Sequence, residues 1–159
     1  MKKFFFLFVL ALLITMPASV RAQSGAKQGP QAAVDTDLEK DSLHNLEVAR
    51  QYFKLRKAYV AALQRCEEII AGNPTFSKID EVLFIAGESS LNLAEGKGKQ
   101  QSSRYVIREG DTKRTLKPDE FRDLARDYFS QLIKTHPESS FRSQAEARLG
   151  TLGGPRASK

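Results

Sequence analysis

Two stretches of this chain, EIIAGNPTFSK at 68–78 and QLIKTHPESSF at 131–141, follow the same plan: an apolar pair, a short polar lead-in, Pro, and a turn. The same offset carries Ala62 onto Ala125, Cys66 onto Phe129, Ile69 onto Leu132, Ile70 onto Ile133 and Pro74 onto Pro137. Past the proline it carries Ser77 onto Ser140, Val82 onto Ala145 and Gly87 onto Gly150, with no gap. A match that crosses two helices in register is more than shared helix punctuation, and it identifies an internal repeat. Repeated helix pairs cannot bury their apolar faces singly, so they stack on one another.

Apolar spacing divides the rest of the chain into helices. Thr36 and Glu39 fit a capping box, which predicts a helix start at Thr36; Leu46, Ala49 and Phe53 then recur at helical spacing up to a break near Arg56–Ala58. A second helix carries Tyr59, Ala62, Leu63, Cys66, Ile69 and Ile70 and stops at Gly72 and Pro74. Ser77 is placed to cap a third, with Ile79, Val82, Leu83, Ala86, Ser90 and Leu93 on one face. RYVIRE and TKRTL alternate around Gly110–Asp111, as a short β-hairpin does. Pro118 opens a fourth helix with Asp119 and Glu120 in its first turn, and Phe121, Leu124, Ala125, Tyr128, Leu132 and Ile133 form its face. A fifth, short helix is expected from Ser139 or Ser140, presenting Phe141, Ala145, Leu149 and Leu152.

The N-terminus has a different character. Lys2 and Lys3 precede an unbroken apolar run from Phe4 to Ile14, and Val20 and Ala22 suit a cleavage site after Ala22. This is the pattern of a secretory signal peptide over 1–22, too short for a comfortable membrane span. Residues 23–35 are expected to be a flexible leader and 154–159 a disordered tail, with the helical domain over 36–153. Cys66 is the only cysteine, so packing without an internal disulfide must hold the fold.

The repeat resembles the tetratricopeptide repeat, a helix pair of about 34 residues. Leu46, Ala49–Arg50, Phe53, Ala62, Cys66, Ile69 and Pro74 occupy its pattern in the first unit, and Leu83, Ala86–Gly87, Ser90, Ala125, Phe129, Leu132 and Pro137 in the second. The resemblance runs from roughly Leu43 to Gly153. It implies an all-α fold of TPR-like antiparallel helix pairs, about two and a half repeats, with a small β-hairpin inserted between the helices of the second unit. The signal peptide together with ARQYFKLRKAYVAALQRCEEIIAGNP and FRDLARDYFSQLIKTHPESSF is similar to the BamD family of outer-membrane assembly lipoproteins. That resemblance implies a periplasmic scaffold, associated with the outer membrane, whose partners are envelope proteins of β-barrel assembly. The chain departs from the family in lacking the lipid-bearing Cys and in having fewer units. The periplasmic repeat protein of the Tol–Pal cell-division system is a neighbouring resemblance.

No residue pattern points to catalysis. His136 precedes Pro137 at a helix C-terminus, where a donor suits the exposed carbonyls, and His44 has no ligand at metal-binding spacing. EGKGKQQSS lacks the spacing of a phosphate-binding loop and follows a helix rather than a strand. Cys66 on an apolar face reads as core, and Glu67–Glu68 as a solvated helix surface. No cofactor or metal is expected, and the chain is read as a binding protein and not an enzyme.

Two surfaces remain. The geometry of the repeat family implies a partner groove on the first helices of the units: His44, Glu47, Gln51 and Lys54, then Glu81, Phe84, Glu88 and Asn92. The insertion at 96–117 concentrates Lys97, Lys99, Arg104, Arg108, Lys113, Arg114 and Lys117 against Glu109 and Asp111, in a chain of net charge +6. Such a basic segment suits anionic headgroups or an acidic partner; an exported chain does not meet nucleic acid. The repeat pattern is complete without the insertion, so it is expected to be separable from the fold, unless Tyr105 and Val106 turn it back onto the helices.

Overall fold

Pro74 and Pro137 disfavour helical backbone at the residue before them, and there the chain turns. In the computed structural model, which describes residues 30–155, Asn73 (φ −143°, ψ 76°) and His136 (φ −132°, ψ 64°) leave the helical region at those positions. The expected signal peptide and the first part of the leader lie outside the described residues, as does the end of the tail. The elements are α1 (Pro30–Arg50), a π-helical continuation (Gln51–Arg56), α2 (Tyr59–Gly72), α3 (Ile79–Ala94), β1 (Val106–Glu109), β2 (Thr112–Thr115), α4 (Pro118–Thr135) and α5 (Arg142–Thr151). The described chain is thus an all-α fold carrying one small antiparallel hairpin.

Each helix packs mainly on its neighbours in the chain, and the contacts fix them as antiparallel. The end of α2 reaches back to α1 through Asn73 Nδ2, which donates to Ser42 Oγ at 3.1 Å. Beyond α3, the Lys99 N–H donates to the Lys57 carbonyl at 2.9 Å, beside the start of α2. Ser139 Oγ, beyond α4, donates to Asp80 at the start of α3 at 2.6 Å, and Arg126 on α4 binds the Leu152 carbonyl at the end of α5.

The repeat is visible in the backbone itself. Asn73 N–H bonds Ile69 O at 2.8 Å and His136 N–H bonds Leu132 O at 2.9 Å. Phe76 to Asn73 is matched by Ser139 to His136, Ile79 to Phe76 by Arg142 to Ser139, and Val82 to Lys78 by Ala145 to Phe141. Buried positions correspond as well: Ala62 with Ala125, Cys66 with Phe129, Ile69 with Leu132, Val82 with Ala145.

Several local expectations need correction. The first helix begins at Pro30, not Thr36, so the end of the proposed leader is helical and Thr36–Glu39 is no capping box. Pro is well suited to a first helical turn. Glu39 instead accepts from the Ser77 hydroxyl, which therefore ties α1 to the α2–α3 turn and does not cap α3. The fifth helix starts at Arg142, because Ser139 and Ser140 complete the turn. Lys57, in left-handed backbone at φ 49°, ends the π-helical segment and brings Phe53 edge-on to Tyr59 at 5.6 Å.

The insertion is not a separable loop. Tyr105 is 6% exposed, meets the Phe121 ring at 5.5 Å, and donates its hydroxyl hydrogen bond to Glu67 on α2. Gln100 accepts from the Ala61 N–H at 3.1 Å, and a side chain at Gly98 would collide with Tyr59. Ile107 and Leu116 pack against the core edge, whereas Val106 faces outward at 49% exposure.

Candidate protein-binding surface

Helical periodicity puts His44, Glu47, Gln51 and Lys54 on one stripe of α1 and its continuation, and all four are exposed. Glu47, Gln51 and Lys54 line an open cleft of about 450 Å³ with Arg50, Leu55 and Glu81. Leu55, at 77% exposure, is the most exposed large apolar side chain described, and it stands on the cleft rim. The floor is a two-pronged ion pair: Arg50 Nε and Nη2 donate to the two Glu81 oxygens at 2.7 and 2.5 Å. Paired donors of this geometry match a carboxylate closely, and the bond to Glu81 holds the Arg50 guanidinium more firmly protonated than usual.

The α3 half of the expected groove is largely occupied by the chain itself. Phe84 stacks on Phe141 at 5.0 Å and leans on Phe129 at 6.1 Å. Glu88 is 7% exposed and receives Arg148 of α5 at 2.6 and 3.2 Å. Asn92 donates to the Glu88 carbonyl at 2.7 Å. Glu88 and Phe84 are therefore stack-forming residues; burial and self-contact withdraw them from a partner surface. Of the eight groove residues read from the sequence, the structure gathers Glu47, Gln51, Lys54 and Glu81 at one cleft and leaves His44 exposed one turn before it.

Sequence reading missed Leu55, which belongs to no apolar stripe, and Arg50, which stood only as a packing position. It also misread Glu67. Glu68 is a solvated partner of Arg65 as expected, but Glu67 turns inward, accepting hydrogen bonds from Tyr105 and, at 3.2 Å, Tyr128. Burial pushes the Glu67 carboxyl above its usual range, and the two hydroxyls partly oppose that shift. The signal was the position of Glu67 next to Cys66 on the buried edge of α2.

The basic insertion divides in the same way. Arg114 lies between Glu109 and Glu120 at 2.7 and 2.8 Å, and Lys97 meets Glu95 at 2.6 Å. Glu120 in turn accepts from the Lys117 N–H at 2.7 Å, which holds its carboxyl below the usual range. Lys99, Arg104, Arg108, Lys113 and Lys117 are exposed. Cys66 is fully buried, and burial pushes its thiol well up, away from the reactive thiolate. Among the described residues no three His, Cys, Asp or Glu side chains gather as a metal site, and no helix is long and apolar enough to cross a membrane. No family model matches the chain, and comparison with curated proteins and with solved structures finds no match.

Proposed function

We propose that this chain is an exported, TPR-like scaffold that holds a partner protein in the cleft between α1 and α3. The observation that carries the reading is convergence: Glu47, Gln51, Lys54 and Glu81 meet around one open cleft whose rim carries the exposed Leu55. A cleft of this size, with one apolar anchor among fixed charges, suits a peptide segment presented by a partner. The sequence resemblance to the BamD family extends the reading to a periplasmic role in outer-membrane protein assembly; the Tol–Pal resemblance makes cell-division coordination the alternative.

A photo-crosslinking side chain placed at Gln51 in the native envelope tests it, with Ala147 on the outer side of α5 as control. The expected outcome is a discrete protein adduct at Gln51 that disappears in Leu55→Glu. Identical products from both positions would overturn the cleft reading. An adduct with an assembly component would favour the BamD-like role, and one with a division protein the Tol–Pal-like role.

A further inference from the structure

The hairpin register pairs Val106 with Thr115, Ile107 with Arg114, Arg108 with Lys113 and Glu109 with Thr112. Successive side chains alternate between faces. Ile107 and Arg114 therefore share the inner face, where Arg114 meets Glu120 of α4. Val106, Arg108, Lys113 and Thr115 share the outer face, and all four are exposed.

Arg108 and Lys113 are thus like charges directly opposite each other, an arrangement that destabilises a hairpin unless something offsets it. Neither makes an ion pair or a side-chain hydrogen bond with any described residue. The contrast with the rest of the molecule is sharp. Arg50, Arg65, Arg122, Arg126, Arg142 and Arg148 each hold a carboxylate, and Arg56 lies over the Tyr52 ring at 5.4 Å. Among the described arginines, only Arg104 and Arg108 have neither, and both belong to the insertion. Tyr105 anchors this segment in the core, so the charges are held on a fixed base.

We propose that the outer face of the β1–β2 hairpin docks the protein on an anionic phospholipid surface. The face is a short ladder with charge but no pocket, and Val106 is its only apolar side chain. That is too little for the apolar core of a specific protein interface. Headgroup phosphates require only proximity to positive charge, and Val106 can enter the interfacial layer between them. The site is independent of the α1–α3 cleft.

Vesicle co-sedimentation of the full chain tests this, comparing phosphatidylglycerol-containing vesicles with pure phosphatidylcholine vesicles. The neutral vesicles set the baseline due to the N-terminal apolar run. Each basic side chain near an anionic leaflet contributes roughly a fivefold gain in partitioning, so R108Q/K113Q is expected to lose about twenty-five-fold on anionic vesicles at low salt. K78Q/K134Q removes the same charge at the opposite end of the helices and should lose little. Raising salt should abolish the difference between the two variants. Equal losses in both variants, or no preference for anionic vesicles, would overturn the proposal. So would a polyglutamate peptide that binds R108-dependently as tightly as the vesicles, since it would make an acidic protein the partner. Should R108Q/K113Q lose its circular-dichroism signal, the single variants R108Q and K113Q, each expected to lose about fivefold, decide in its place.

Discussion

The α2–α3 and α4–α5 turns are built from the same sequence pattern and the same four backbone hydrogen bonds, yet the helices that leave them meet different surroundings. α3 lies between α2 and α4 and buries residues on every side, including Glu88, Ser89 and Ser90. α5 packs mainly on α4, touches α3 through the Arg148–Glu88 pair, and buries only Ala145 and Leu149 within its span. The repeated positions therefore carry unequal loads: Cys66 and Phe129 are both fully buried, but Phe129 is the side chain that reaches Gly87 and Phe84. Place in the stack, more than membership of the repeat, sets what each residue contributes.

Substitutions at matched positions separate those two influences. The largest difference is expected between Phe129→Ala and Cys66→Ala. The first removes a ring packed across α3 and should cost about 3–5 kcal/mol. The second removes one buried sulfur and should cost about 1 kcal/mol. Urea unfolding of both variants checks this, and equal losses would mean that the two units share the load evenly.

The glycine pair should give opposite signs. A Cβ at Gly87 would stand 2.5 Å from the Phe129 ring, whereas nothing lies within 4 Å at Gly150. Gly87→Ala is expected to cost about 1–3 kcal/mol through overpacking. Gly150→Ala should stabilise α5 by up to about 1 kcal/mol. Combining Gly87→Ala with Phe129→Leu should cost less than the sum of the single changes, because the collision is shared. Additive losses would place the strain elsewhere.

The smallest expected effect is at Glu67 and its counterpart Ser130. Glu67 is satisfied by two tyrosines, while the buried Ser130 hydroxyl has no hydrogen-bond partner among the described residues. Ser130→Ala should be neutral or slightly stabilising, since it loses a buried group that makes no bond. Glu67 has a folded-state pKa above its unfolded one, with burial the main cause. Its contribution is therefore fully present below the ordinary carboxylate range and is lost as pH rises through the raised value. Glu67→Gln should flatten that part of the stability–pH profile and match or exceed the parent at neutral pH. Thermal melts across the weakly acidic range check this; an unchanged slope would mean that the carboxylate titrates normally.

These residues also show how far the sequence could be read. The offset match located both turns, and Pro118 with its two acids marked the start of α4 to the residue. The hairpin followed from alternation around Gly110–Asp111, whose glycine adopts φ 60°. The start of α1 was less legible, because PQAAV has no apolar stripe and helix propensity alone had to decide it. On the candidate surface, periodicity placed the α1 stripe correctly but treated α3 as its equivalent. It had no means of knowing that Phe141 and Arg148, over fifty residues along, would cover Phe84 and Glu88.

The sequence alone determined the period of the repeat, the positions of its turns, the identity of the small and large core residues, and the concentration of basic charge in one insertion. All of these depend on local backbone preference or on spacing along a single element. Only the tertiary structure decided that Tyr105 fastens the insertion to Glu67, that Arg114 is neutralised while Arg108 and Lys113 are not, and that Leu55 stands beside the Arg50–Glu81 pair. Those outcomes depend on which distant side chains are brought within about 3–4 Å of one another, and hydrogen bonds and ion pairs exist only at that range.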